Sequence, residues 1–525
     1  MADVEVNDLA AIGLMLDPPA RELPPSAVTT ALNVRVRENR LLRIGGRQDA
    51  FGTLSAAPYK LIPVRGSSDA LYWIYLGLAK AYVFSSGTEY DITNTGGDYT
   101  TANGRDWNYT IFGGLPIITN NVDPIQFWSD IDTGQELTDL TNWPANSAAK
   151  LIRAHGPFLV ALNLNLNSTL YPHGVLWSHP ADPGSVPSSW DYTDATKDAG
   201  LYELPDAETG NIQEAGFLRG QLYIHKDTSI WSMRYVGGQS VFAFERFLEH
   251  AGVLASRCVG TTGDGKWQFV VTQDDVIVHN GQTVLPILEG RARRTLFGAI
   301  DSTNFRNSFV FSHPTMKEIW FCYPESGATL PSRALIWNYG VKSEIGVLTE
   351  AEVDFVDAAL GDSELAGSDT WASEAALGWE DDDEPWSVTT RNNLYVANPT
   401  TSTILQAEVG ITNDGTAFTA TIQREALAIV GKKPTGEPIV DFSVVKFVRR
   451  VWPRITGGPV FIRVGVIDMI DGPTIWSDAQ TFDPQVDLYV DFLARGVAIS
   501  IEVSAIVPFE FSGYKLEVMP AGRFA

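Results

Sequence analysis

Two stretches of the chain repeat one pattern. Pro124-Ile-Gln-Phe-Trp128-Ser leads through a polar loop to Asn142-Trp143-Pro144, and Gly174-Val-Leu-Trp177-Ser-His leads through another to Pro187-Ser-Ser-Trp190-Asp. Each copy is a short apolar strand closing on Trp-Ser, a loop rich in Pro, Gly and Asp, and a second tryptophan. Trp128 and Trp177 stand 49 positions apart, inside the roughly 40–50-residue period of propeller blades and related arrays. A unit this small cannot bury its apolar face alone, so repetition predicts a radial or stacked all-β array. Trp128, Trp143, Trp177 and Trp190 are therefore read as blade scaffolding. Aromatic faces also suit sugar rings, but the repeat spacing favours packing of each blade loop against its neighbour.

The rest of the chain extends the pattern. From residue 51 to 400, strand-like runs such as Ala70–Phe84, Gln221–Met233, Trp267–His279 and Phe309–Tyr323 alternate with turn clusters. Lys226-Asp-Thr-Ser joins one pair as a hairpin and Asn280-Gly281 closes another. About six or seven irregular blades are expected. Beyond residue 400 the strands lengthen and alternate, as in Phe418–Gln423, Val444–Ile455 and Val460–Ile467. Residues 401–525 thus read as an antiparallel β-sandwich or platform. Residues 1–50 read as an extended arm, set by Pro18-Pro19 and Pro24-Pro25, and an arginine-rich hairpin that is a candidate to join the platform. Within the propeller, 344–386 is expected to be an acidic loop pinned by Trp371, Trp379 and Trp386. Its Glu344–Glu384 stretch holds 14 acidic residues and no Lys or Arg.

The formal net charge is −25, which disfavours tight nucleic-acid binding, because that affinity rests on Lys and Arg neutralising phosphates. DNA could still slide past such a surface. Two cysteines, Cys258 and Cys322, supply neither a disulfide framework nor a Cys-based zinc site. The start, Met1-Ala-Asp-Val-Glu-Val, lacks the pattern of a signal peptide. The longest apolar run, Leu71–Phe84, contains Lys80 and is too short to span a bilayer. A soluble product of a reducing compartment is expected.

No catalytic signature emerges. The seven histidines are scattered, and the nearest pair, His173 and His179, suits a turn better than a metal. Asp381-Asp-Asp-Glu384 lacks the alternation and glycine of an EF-hand. A glycosidase needs two acids roughly 5–10 Å apart across a cleft, and with so many acids a chance pair is expected. No catalytic, metal-binding or cofactor-binding residue is assigned, and no enzyme activity is expected.

Against the acidic background, Arg35, Arg37, Arg40, Arg43 and Arg47 place five arginines in 13 residues. Alternation in Asn33-Val-Arg-Val-Arg37 turns Val34 and Val36 inward and leaves Arg35 and Arg37 on the other face. The five are candidates for docking to a neighbouring subunit or adaptor. The competing reading is a solvated hairpin edge whose charges block strand pairing. Arg291, Arg293 and Arg294 form a second basic cluster.

The Asn33–Arg40 hairpin ending in Gly45-Gly46, the Trp177-Ser-His-Pro…Trp190-Asp unit, the acidic stretch around Thr370-Trp371, and a closing run occur together. That run is Val451-Trp-Pro-Arg454…Arg495-Gly…Gly513-Tyr-Lys-Leu-Glu-Val-Met-Pro520-Ala-Gly-Arg523. In this combination the chain resembles the tail nozzle, or packaged-DNA stabilisation, proteins of short-tailed bacteriophages. The resemblance implies a propeller beside a β-rich platform, assembled as a homohexameric ring under the portal and adaptor of the virion tail. It implies retention of packaged DNA, a channel for its ejection without tight binding, contacts with tail fibres, no cofactor and no membrane insertion. Synthesis would occur in the bacterial host cytoplasm. The alternatives are a receptor-binding or fibre-type tail protein recognising host polysaccharide, and a propeller glycosidase or lyase.

Overall fold

The computed structural model describes residues 2–66, 71–85, 87–101, 103–129, 134–205, 210–238, 240–341, 345–362, 393–432, 438–469 and 472–523. Among the described residues the regular structure is almost wholly β-strand, paired mostly antiparallel. Five separate four-stranded meanders succeed one another. Blade 1 is Lys60–Arg65, Leu71–Leu76, Ala81–Ser85 and Thr88–Asp91; blade 2 is Asn108–Phe112, Leu115–Thr119, Gln126–Phe127 and Thr138–Asp139. Blade 3 is Ala148–His155, Phe158–Leu166, Thr169–Trp177 and Gly200–Glu203. Blade 4 is Ile212–Leu218, Gln221–Lys226, Ser229–Tyr235 and Phe242–Glu249. Blade 5 is Val259–Thr261, Gln268–Val271, Val276–His279 and Val284–Pro286.

Two more blades belong to larger sheets. Blade 6 is Phe309–His313, Glu318–Tyr323, Arg333–Asn338 and Val347–Glu352; blade 7 begins with Asp357–Gly361, Asn393–Asn398 and Thr403–Ala407. The fourth strand of blade 7 comes from the other end of the chain. Arg47–Asp49 pairs antiparallel with it, Asp49 opposite Leu405 and Arg47 opposite Ala407. The described residues therefore form seven blades. The N-terminal segment completes the propeller as well as contributing to the platform.

Apolar cores lie between successive blades. Ile62, Ile74, Ile118 and Trp128 fill the space between blades 1 and 2; Ile117, Ile152, Leu176 and Trp190 do so between blades 2 and 3. Leu61, Trp73, Tyr395 and Ile404 join blade 7 back to blade 1. Because each meander covers its apolar faces with its neighbours, the ring closes with its blade faces buried.

The platform has two sheets. One runs Val490–Gly496, Val444–Gly457, Phe509–Arg523, Arg40–Arg43, Val34–Arg37, with Ala2–Asn7 also paired to Phe509–Arg523. The other runs Thr30–Leu32, Ala420–Leu427, Ala498–Ala505, Val460–Ile467. Val490–Gly496 alternates buried and exposed along its length, as a strand with one face on a core must. The second sheet is continuous with blade 6, since Leu32 pairs in parallel with Glu350. In the hairpin, Glu38 and Asn39 adopt φ of 50° and 60°, the left-handed pair of a two-residue type I′ turn.

Candidate functional site

The first tryptophans of the two repeats occupy matching places. Trp128 directly follows the third strand of blade 2, and Trp177 ends the third strand of blade 3. A third copy of the Trp-Ser pair, Trp231-Ser232, lies in the third strand of blade 4. Trp128 is sealed from solvent, donates to the Gln135 carbonyl at 3.0 Å and meets Tyr72 edge-on. Trp177 is partly exposed, packs on Phe242 and Phe244, and donates to the Asp198 carbonyl at 2.8 Å. The second tryptophans find each other: Trp143 and Trp190 cross edge-to-face with centroids 4.8 Å apart. Trp190 is buried and Trp143 half-buried. Buried rings such as Trp128 and Trp190 present no face for a sugar to stack on.

The arginine hairpin departs from its expected exposure. Arg35 is only 4% exposed. It lies between the Glu318 carboxylate of blade 6 (3.3 Å) and that of Glu408, just past blade 7 (2.6 Å). Burial pushes the Glu318 carboxyl up, opposed by Arg35 and by the Trp320 indole that donates to it. Arg43 is buried, stacks on Phe418 at 3.8 Å and donates to the carbonyls of Ile411 and Phe418. Arg47 is buried against Asp354 and Asn413. These three are therefore not available for docking, which corrects that expectation, and for Arg35 it corrects the alternation argument as well. That argument holds for a strand with one wet face, and blade 6 covers the second face here. Arg40 is exposed and paired with Glu510 at 2.6 Å; Arg37 is exposed and, among the described residues, unpaired. In the second basic cluster, Arg291 donates to the carbonyls of Ile12 and Gly346, and Arg293 pairs with Asp274.

The propeller axis carries a charge circuit that the sequence did not reveal. Lys60, opening blade 1, pairs with Asp357, opening blade 7, at 2.9 Å. Asp357 also accepts from Arg257, just ahead of blade 5, at 2.5 Å. The Arg257 backbone N–H donates to Glu214 of blade 4 at 2.7 Å, and its guanidinium lies over the Phe309 ring of blade 6. Glu214 pairs with Arg153 of blade 3, which donates to Asn108 of blade 2 at 2.5 Å. The Lys60 ammonium lies over Tyr109, completing the loop through all seven blades. Burial pushes the Lys60 ammonium down while Asp357 opposes the shift. The first strands of the blades line the axis, so the polar residues that they and Arg257 place there are forced together.

Two histidines far apart in sequence also meet. His225 and His279 both approach the Gln268 side-chain oxygen through Nε2, at 3.0 and 3.1 Å. Burial pushes them down to about 4 and about 3, so both rings are neutral at pH 7. His179 instead accepts the Asp198 N–H, across the loop between the third and fourth strands of blade 3. No group of three or more His, Cys, Asp or Glu residues suited to a metal occurs among the described residues. Trp371, Trp379, Trp386 and Asp381–Glu384 lie outside the described residues.

No protein-family model matches the chain, and no curated protein matches it. Among solved structures it is similar to PorZ, a bacterial surface component of the type-IX secretion system of Porphyromonas gingivalis. That match has 9% identity and a TM-score of 0.35, covering 82% of this chain and 46% of that one. The chain thus spans under half the length of PorZ. Similarity extends to the β-propeller domain of Myceliophteria thermophila Cps50 (Swd1), at 11% identity and a TM-score of 0.35, covering 59% and 97%. The WD40 propeller of Doa1 follows at 9% and 0.38, covering 70% and 96%.

Proposed function

We propose that the chain is a structural virion protein, a tail nozzle subunit that forms a ring beneath the portal and adaptor, retains packaged DNA and shapes its exit. The observation that carries the reading is an apolar edge on the platform. Val486, Leu488 and Leu493 are 78%, 81% and 88% exposed, on or just before the edge strand Val490–Gly496. Large aliphatic side chains gathered at a sheet edge mark a protein–protein contact, and a second copy of the chain supplies one through ring symmetry.

Two further features support it. The shared sheet between blade 6 and the platform, with Arg35 clamped by Glu318 and Glu408, fixes one part against the other as a load-bearing ring would require. The charge circuit bridges the propeller's own axis, so on this reading DNA runs along the axis of the subunit ring. An acidic wall there would lower friction for the exiting duplex.

The native mass of the purified protein, alone and with a portal–adaptor complex, tests the proposal. A ring of six that L488D/L493D reduces to monomers is expected. A trimer would point to a fibre, and a monomer under all conditions would remove the reading. Replacing acids that face the ring lumen with lysine should slow ejection; unchanged ejection kinetics would remove the low-friction wall.

A further inference from the structure

A groove of about 590 Å³ runs between the tip of the arginine hairpin and blade 6. Arg37 and Glu38 bound it on the hairpin side, and Met316, Lys317 and Val341 on the blade 6 side. Its deep wall is neutralised from within, because Arg35 and Glu318 are buried and paired to each other. Asn338 holds the two walls together by donating to the Val36 carbonyl at 2.9 Å.

The rim is different. Arg37 and Lys317 are exposed, one on each side, and neither has an ion-pair partner among the described residues. Exposed Glu38 beside Arg37 likewise has no ion-pair partner among the described residues, so the two cations leave the rim with a net positive charge in a chain of net charge −25. Val36 is buried, and Met316 and Val341 are half-buried, giving the cleft an apolar lining between the charges.

We infer that this groove binds an extended acidic segment of a partner protein, with carboxylates meeting Arg37 and Lys317 and an intervening apolar side chain against Met316 and Val341. In an extended chain, side chains two apart share a face about 6.5–7 Å apart, which suits carboxylate and apolar groups in alternation. Arg37 offers a bidentate fork and Lys317 a point charge. The inference stands on the monomer's own groove and does not require that the chain form a ring.

The test uses the full-length protein in low-salt buffer and a fluorescein-labelled decapeptide alternating Asp and Leu, followed by anisotropy. Saturable binding is expected that falls with added NaCl and weakens about tenfold or more in R37E/K317E, equivalent to about 1.4 kcal/mol. R219E, in the first turn of blade 4 and outside the lining of the groove, should bind within about twofold of wild type. Both rim side chains are exposed and unpaired, so the melting curve of R37E/K317E should match wild type and exclude misfolding. Equal binding of a Lys/Leu decapeptide, or wild-type affinity in R37E/K317E, overturns the inference. So does preferential binding of a DNA duplex through the same two residues, which would assign the groove to phosphate instead.

Discussion

Arg257 and Asp357 meet at 2.5 Å, joining the entry to blade 5 with the first strand of blade 7 past the blade between them. Asp357 also accepts from Lys60 and from the Leu61 backbone N–H. One carboxylate of blade 7 thus holds groups from blade 1, across the closure of the ring, and from the entry to blade 5.

Asp357→Ala should therefore be costly. It leaves Lys60 and Arg257 without their shared counter-charge in a largely dry site, and breaking such a pair costs about 3–5 kcal/mol. Denaturant unfolding should show that loss. A loss below about 1 kcal/mol would mean that water already screens the circuit.

Arg35→Met should cost about 3–5 kcal/mol for the same reason, since Glu318 would remain buried and unpaired. Adding Glu318→Leu should restore most of it, because a buried pair replaced by apolar groups is close to neutral. Equal instability of the single and double variants would refute the pairing as the cause.

The contact between Trp143 and Trp190 should be measurable by a double-mutant cycle. Trp190→Leu alone is expected to cost more than Trp143→Leu, because Trp190 is the more deeply buried. The coupling should be about 0.5–1.5 kcal/mol, the typical worth of an edge-to-face pair beyond its area. A coupling of zero would make the two rings independent.

Acid should weaken the fold through its buried histidines. His225, His279 and His313 are held down to about 4, 3 and 4, chiefly by burial, against an ordinary value of 6.5. Between those values the unfolded chain binds more protons, so stability is complete above pH 6.5 and declines as pH falls toward 4. Burial raises the Glu318 carboxyl and produces the opposite slope, but that contribution is common to wild type and variant. His279→Leu should flatten the decline between pH 6.5 and 4 in denaturant titrations; an unchanged slope would show that His279 does not contribute.

Local signals carried far in the sequence. The Lys226–Ser229 connection and the Asn280-Gly281 turn were legible because each depends on two to four adjacent residues. Val34 and Val36 are buried as alternation requires. What alternation could not show is that Arg35 faces Glu318, 283 positions away, so its other face is covered too. The fourth strand of blade 7 was illegible for a similar reason, since its three companions lie between residues 357 and 407 while it lies near residue 48. The charge circuit joins residues from 60 to 357, each unremarkable in its own neighbourhood. Trp231-Ser232 was readable, but without a second tryptophan after its loop it did not match the repeat.

The strand Arg47–Asp49 has a consequence for how the molecule is made. Asp49 pairs with Leu405, 356 positions later. At about 5–20 residues per second of synthesis, that strand leaves the ribosome roughly 20–70 seconds before its partner exists. During that interval its ladder groups are an open edge, and the charges of Arg47 and Asp49 at its two ends discourage premature pairing. The propeller is thus a clasp whose hook is made first and whose eye is made last.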